Sequence, residues 1–354
     1  MNNPKLVQKK GSHTGLLMLV SCGLVLAFVA NLSLGSVAIP FSELLSFITS
    51  GSTSESSWDL ILLNFRLPKA ITACLVGGAL GLAGLQMQTL FRNPLAGPYV
   101  LGISSGAGLG VAVAIFLGVS MGGYAALTGI GRSWVLVVFG AIGSGLVLVV
   151  VLIAARRLAD SISLLIVGLM FGAAAGAIVS ILQFFSQAEN IQAYVFWSFG
   201  SLGSLSWTEL SLFVPIILSA MIGSTLISKP LNALLLGENY ARSLGLNIRR
   251  SRWLIICHTT LLAGTVTAFC GPIGFFGIAM PHIARMLFNT TNHLTLSPVI
   301  ILSGGALMLI FDTISQLPGI ESTLPINAIT ALVGAPFVIY LILKKRSLNY
   351  SYQS

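Results

Sequence analysis

Across its 354 residues the chain is 55% hydrophobic and only 8% charged, with a mean hydropathy of +0.95; this excludes a water-soluble globule and marks a polytopic membrane protein. Its net charge of +9 would suit a nucleic-acid binder, but the basic residues flank apolar runs, as membrane-orienting charge does, and no nucleic-acid module is implied. Cys22, Cys74, Cys257 and Cys270 lie inside apolar runs without CxxC spacing and read as packing residues rather than metal ligands or disulfides.

The first apolar run, 16–34, follows Lys5, Lys9 and Lys10. It is long, and no A-x-A pattern follows it, so a retained span is expected rather than a cleaved signal. Residues 35–59 form a connection with a short amphipathic stretch at 41–48 and then a Ser/Thr-rich loop. Further spans are expected near 60–91, 98–118, 133–155 and 161–185, and a second set near 208–228, 253–270, 272–288, 297–316 and 326–343. The expectation is all-α: about ten transmembrane helices in one domain over 1–354, with tails at 1–15 and 344–354 and a link at 229–252.

Two breaks interrupt the pattern. After the second span comes Arg92-Asn93-Pro94-Leu95-Ala96-Gly97-Pro98, where neither proline can continue a helix. The next helix carries Gly102, Gly106 and Gly110 at four-residue spacing, which predicts close packing along one face. After the seventh span come Gly271, Pro272 and Gly274, and Pro281 follows in the short eighth. Breaks five spans apart predict two repeats of inverted topology, as in transporters that rock two halves around a central path.

The charges give an orientation. Placing the N-terminus in the cytoplasm puts Lys5, Lys9, Lys10, Arg92, Arg156, Arg157, Lys229, Arg242, Arg249, Arg250, Arg252, Arg285, Lys344, Lys345 and Arg346 inside. Only Arg66, Lys69 and Arg132 of the 18 basic residues remain outside, so both termini are expected to be cytoplasmic. Arg66-Leu67-Pro68-Lys69 would hold two cations near the outer surface, since proline is tolerated in a first helical turn. Asp312, near the outer end of the ninth span, is expected to reach interfacial water.

The link 229–252 contains Leu235 and Leu236, then Gly237, Glu238, Ala241, Arg242, Leu244 and Gly245. Glu238 and Arg242 suit an i,i+4 ion pair on a helical turn, and the leucines offer an apolar surface to a cytoplasmic partner or to the membrane surface. No G-x-x-x-x-G-K-[ST], H-E-x-x-H or G-x-S-x-G occurs, so neither a nucleotide-cradling loop nor a familiar catalytic set is present. His258 and His282 read as hydrogen-bonded packing residues, although a membrane histidine leaves a functional role open. No acids and bases recur at helical spacing, which disfavours a proton-driven carrier.

Seven collinear stretches carry a resemblance. They are Arg66 to Lys69, Gln88 to Pro98, Gly102 to Gly106, the Leu-Gly-Glu link with Ala241 to Gly245, Gly271 to Phe275, Pro281 to Arg285, and Thr330 to Phe337. Together, over about 60–343, they resemble the FecCD family, the permease subunits of bacterial importers of the ATP-binding-cassette class for ferric siderophores, haem and cobalamin. The resemblance implies the type II importer permease fold and a multi-pass protein of the bacterial cytoplasmic membrane that acts as a homodimer. It also implies a separate cytoplasmic ATPase pair, an extracytoplasmic binding protein, a metal-chelate cargo and no cofactor or bound metal of the permease's own.

Position by position, the resemblance implies ATPase coupling through Leu236, Gly237, Glu238, Ala241, Arg242, Leu244 and Gly245. It implies a cytoplasmic gate of Asn93 and Leu95 with Ser161 and Ile162, and docking of the binding protein on Arg66 and Lys69. Pro94, Pro98, Gly102, Gly106, Gly271, Pro272, Gly274 and Pro281 are the break and packing positions. Gln316 stands where the family commonly has a third cation. A ferric siderophore is the expected cargo, with haem or cobalamin as the alternative. A stand-alone gated pore or secondary transporter is the more distant reading.

Overall fold

The computed structural model describes residues 11–118, 130–158, 161–316 and 323–350. It is all-helical over these residues. In chain order the helices are α1 (Gly11–Ser33), α2 (Phe41–Ser50), α3 (Ser56–Ile61), α4 (Leu67–Leu90), α5 (Ile103–Ala112), α6 (Ile130–Arg157) and α7 (Ser161–Phe184). They continue as α8 (Ala188–Ser198), α9 (Trp207–Leu235), α10 (Glu238–Ser243), α11 (Ile248–Cys270), α12 (Phe276–Phe288), α13 (His293–Ser315) and α14 (Ile326–Tyr350). A π turn at Leu62–Arg66 runs α3 into α4, and another at Val113–Leu117 extends α5.

Seven of these segments are long and apolar enough to cross a membrane, and three shorter apolar helices, Ile103–Leu117, Phe276–Phe288 and Ile326–Tyr340, fall on the remaining expected spans. The boundaries differ at the link: α9 runs through Pro230 to Leu235 and α11 begins at Ile248, so the free connection is much shorter than 229–252. Lys5, Lys9, Lys10 and Asp160 lie outside the described residues, as do the side chains of Arg132, Ser161, Lys344, Lys345 and Arg346.

α4 is the axis of the fold, buried without interruption from Val76 to Leu90 and touched by α9, α11, α12 and α13. Small residues let those neighbours in. A Cβ on Gly77 would lie 2.1 Å from the Gly304 carbonyl oxygen of α13, and one on Gly84 1.7 Å from that of Gly277 in α12. With lipid on one side and protein on the other, such close approach supplies the van der Waals contact that holds membrane helices together. The glycine stripe after the first break divides in two. Gly106 and Gly110 face α6, whereas Gly102, at φ +77°, is the N-cap of α5 and abuts Gly168 of α7.

The main contacts repeat between halves. The second span packs on the ninth as the seventh packs on the fourth, α4 on α13 and α11 on α6. Likewise α5 meets α6 and α7 while α12 meets α13 and α14. α1 on α13 has no such counterpart among the principal contacts, so the halves are related without being equal.

The second break is irregular chain inside the bundle. α12 has 13 residues, about 20 Å of helix, which falls short of a hydrocarbon core of about 30 Å. The non-helical segment Gly271 to Phe275 adds to it, and exposed backbone at that depth is tolerated only when protein groups satisfy it. Here Gly274 N–H donates to Asn327 Oδ1 of α14 at 2.9 Å, and Cys270 C=O accepts from Ser201 N–H at 2.8 Å. Gly271, at φ +74°, leaves no room for a Cβ, which would sit 2.6 Å from the Trp197 carbonyl oxygen of α8.

Candidate functional site

The two ends of the bundle are built differently. At one end α10 stands between two glycines in backbone conformations that other residues resist, Gly237 at φ +103° and Gly245 at φ +82°. Ala241 seats the turn by being fully buried. Leu236 and Leu244 project at 64% and 62% exposure, with Tyr240 and Leu235 beside them also exposed. The expected pair of Glu238 with Arg242 does not form. Glu238 Oε1 instead meets Arg252 Nη2 at 2.5 Å, because the nearly buried Arg252 on α11 needs a counter-charge more than the exposed Arg242 does. Arg242 stays on the surface.

Next to α10 lies the first break. Arg92 takes φ +48°, and its guanidinium lies 3.8 Å from where a Cβ on Gly237 would sit, so the break leans on the corner between α9 and α10. Asn93 Oδ1 accepts from Leu95 N–H at 2.9 Å, folding the chain into an Asx turn. Asn93, Pro94 and Leu95 are exposed. His282 of α12 approaches the Pro94 carbonyl at 2.8 Å and so ties one break to the helix that follows the other. Pro98 and Pro281 are buried. Ile162, at the start of α7, is 72% exposed, and α7 packs on the Pro98–Leu101 turn and on α5.

Behind these surfaces runs a polar ladder that spacing in the sequence does not reveal. Gln88 Nε2 donates to the Ile278 carbonyl at 3.0 Å, and Arg285 Nη1 donates to Gln88 Oε1 at 2.7 Å. Thr89 meets His293 at 2.9 Å, whose Nδ1 lies 2.7 Å from Asn232 Oδ1. Higher up, His258 lies between Gln86 and the Ala220 carbonyl, a packing role like the one expected of it. Gln86, Gln88 and Thr89 thus tie α4 to α11, α12 and α13, while His258 and His293 carry the ladder on to α9, and burial raises the penalty for leaving any of these groups unpaired.

At the opposite end the charges turn inward. Arg66 is 6% exposed, and its guanidinium donates to the carbonyls of Leu32 and Val37, at and just beyond the last turn of α1, where a cation also meets the helix dipole. It is therefore not displayed at the surface, as its place in Arg-Leu-Pro-Lys suggested. Lys69 Nζ pairs with Asp312 Oδ1 at 3.0 Å. Asp312 is 1% exposed, and its Oδ2 accepts from Asn31 Nδ2 at 2.9 Å and from Gln316 Nε2 at 2.7 Å. The expectation that Asp312 reaches interfacial water is thus corrected: both of its oxygens bind α1, α4 and α13 together. Gln316 completes that knot. A cavity of about 780 Å³ opens above it, walled by Phe65, Phe196, Phe199 and Leu324 among others.

Residues 23–344 match the FecCD transport family. The chain belongs to that family. Among its relatives, the vitamin B12 import system permease protein BtuC of Klebsiella pneumoniae is 35% identical, across 85% of this chain and 87% of that protein. The hemin transport system permease protein HmuU of Yersinia pestis is 34% identical, across 91% and 93%. A solved structure described as an inward-facing conformation of a provisionally assigned metal-chelate type ABC transporter superposes with a TM-score of 0.81 at 29% identity, covering 94% of this chain and 99% of its own. This FecCD chain is a multi-pass permease subunit of an ATP-binding-cassette importer.

Proposed function

We propose that this permease passes a metal chelate, in our reading a ferric siderophore, along a path between two copies of itself. A binding protein delivers the cargo to the Lys69 end in the extracytoplasmic space, and a separate ATPase pair drives release at the α10 end in the cytoplasm. The observation that carries the reading is the apolar ledge of Leu235, Leu236, Tyr240 and Leu244, held out of the bundle by a turn whose only buried residue is Ala241. Exposed leucines beside charged residues at the end of a membrane bundle suit a protein groove. The orientation is supported by Arg156, Arg157, Lys229, Arg242, Arg249, Arg250 and Arg252, which sit at the α10 end, while Arg66 and Lys69 sit at the other.

In this reading a thrust on Leu236 and Leu244 moves the α9–α10 corner, Arg92 passes it to the Asn93–Leu95 turn, and His282 couples that turn to α12. Lys69 is the docking cation that remains near the surface, where an acid of the binding protein would compete with Asp312 for it. The names of the two relatives favour haem or cobalamin as the second reading of the cargo. Proteoliposomes holding the permease with its ATPase, given ferric siderophore, haem or cobalamin on their binding proteins, separate these readings. ATP-dependent uptake of the siderophore alone is expected. Uptake that needs no ATP would leave a gated pore or secondary carrier.

A further inference from the structure

Two adjoining grooves of about 260 Å³ each lie where the end of α6 meets the start of α11, beside α10. Their rims hold Arg156, Arg157, Arg242, Arg249, Arg250 and Arg252, and among the described lining residues Glu238 is the one acid. Charge that merely orients a membrane protein needs no convergence and is served equally by lysine. Here every cation is an arginine, the side chain whose planar fork of donors matches phosphate oxygens. The arrangement is also fixed: Arg249 Nη2 donates to the Arg156 carbonyl at 3.0 Å, closing α6 against α11. Arg249 and Arg250 occupy the first turn of α11, which has no acidic residue, so cations stand at the positive end of a helix dipole with no anion in that turn to offset them.

The floor of one groove is apolar: Leu152, Ala155 and Trp253 underlie Arg156, Arg249 and Arg250. Trp253 and Leu254 are exposed, and so are Val149, Val150 and Ile153 one to two turns up α6, so the groove runs directly onto the bundle's apolar flank. A tryptophan at that level is an interfacial anchor. We infer that this groove binds an anionic phospholipid, with the phosphate on Arg156, Arg249 and Arg250 and the glycerol and upper acyl chain over Leu152 and Trp253. Basic pockets between spanning helices are suited to such headgroups. A docked protein acid would need no apolar floor continuous with the lipid-facing surface.

The test is native mass spectrometry on the detergent-purified, delipidated permease, titrated with dioleoyl phosphatidylglycerol or dioleoyl phosphatidylcholine. Phosphatidylglycerol should be held on the order of tenfold better, and Arg156→Gln with Arg250→Gln should remove that preference. Arg156→Lys with Arg250→Lys should keep part of it, and Lys229→Gln, which removes a cation at the same end outside the groove, should keep all of it. Equal retention of the two lipids by the unaltered protein would overturn the inference, as would an equal loss in Lys229→Gln. Complete displacement by millimolar inorganic phosphate would mark a free-anion site, and a glutamine pair that loses the ATPase but keeps the lipid preference would mark a protein-docking surface. Either outcome overturns it as well.

Discussion

The Lys69 end and the α10 end use the same residue types in opposite ways. At the first, Arg66 and Asp312 are buried: Arg66 donates to carbonyls at and just beyond the end of α1, and Asp312 is held by Lys69 of α4, Asn31 of α1 and Gln316, with Lys69 left partly exposed. At the second, Arg242, Leu236 and Leu244 face outward, and Ala241 is the one residue of α10 drawn in. A charge buried against fixed partners braces helices, because moving it means desolvated partners left bare; a charge or leucine held out on a short turn is available to another molecule. Substitutions at the first end should therefore be felt in folding, and those at the second in transport by a protein that remains folded.

The largest effect is expected from Arg66→Glu, which would set a carboxylate against the carbonyls of Leu32 and Val37 in place of their donor. The loss should be on the order of 4 kcal/mol or more, read as poor yield and a lowered melting temperature in detergent. An unaltered melting temperature with weakened binding of the delivery protein would instead make Arg66 a docking residue. Lys69→Met and Asp312→Asn come next. Each alone strands or unbalances a member of the buried knot and should cost about 3 kcal/mol, whereas the double replacement should recover much of that loss. A strictly additive double variant would show that the pair is not coupled.

Leu236→Asp and Leu244→Asp should leave stability within about 0.5 kcal/mol, since both side chains are already in solvent. Both should abolish ATP-driven uptake, because an aspartate would have to be desolvated in the ATPase groove in place of a leucine worth about 2 kcal/mol of burial. Full uptake by both variants would make the link a loop.

Why the two ends were unequally legible follows from where their interactions lie. Ten spans could be read from apolar runs because lipid imposes length and composition on each segment by itself. The breaks were legible as proline and glycine positions, and the α10 ledge as leucines in a polar link. Lys69 and Asp312, by contrast, are far apart in sequence, and an arginine at a helix start reads the same whether it snorkels outward or turns in. The Glu238 pairing failed for a similar reason: the i,i+4 rule sees only a helix's own neighbours, and Arg252 comes from the next helix. α8 has too mixed a composition, Ala188 to Ser198, to stand out as a span, yet its Trp197 carbonyl is what Gly271 must accommodate.

The smallest effect expected on transport tests the comparison most finely. Asn93 is exposed, and its side chain does one thing in the fold, accepting the Leu95 N–H at 2.9 Å to hold the turn between α4 and Pro98. Asn93→Ala removes that acceptor where water can replace it, so the melting temperature should shift by an amount corresponding to about 0.5–1 kcal/mol at most. The turn also lies between Arg92, which leans on the α10 corner, and Pro94, whose carbonyl His282 approaches from α12. Loosening it should therefore lower the cargo moved per ATP hydrolysed, with hydrolysis itself maintained. Asn93→Asp keeps an acceptor at the same place and should retain most of the coupling. If Asn93→Ala instead unfolds the permease, this turn is a brace of the same kind as the Lys69 end, and the division between the two ends fails at the residue where it should be easiest to see.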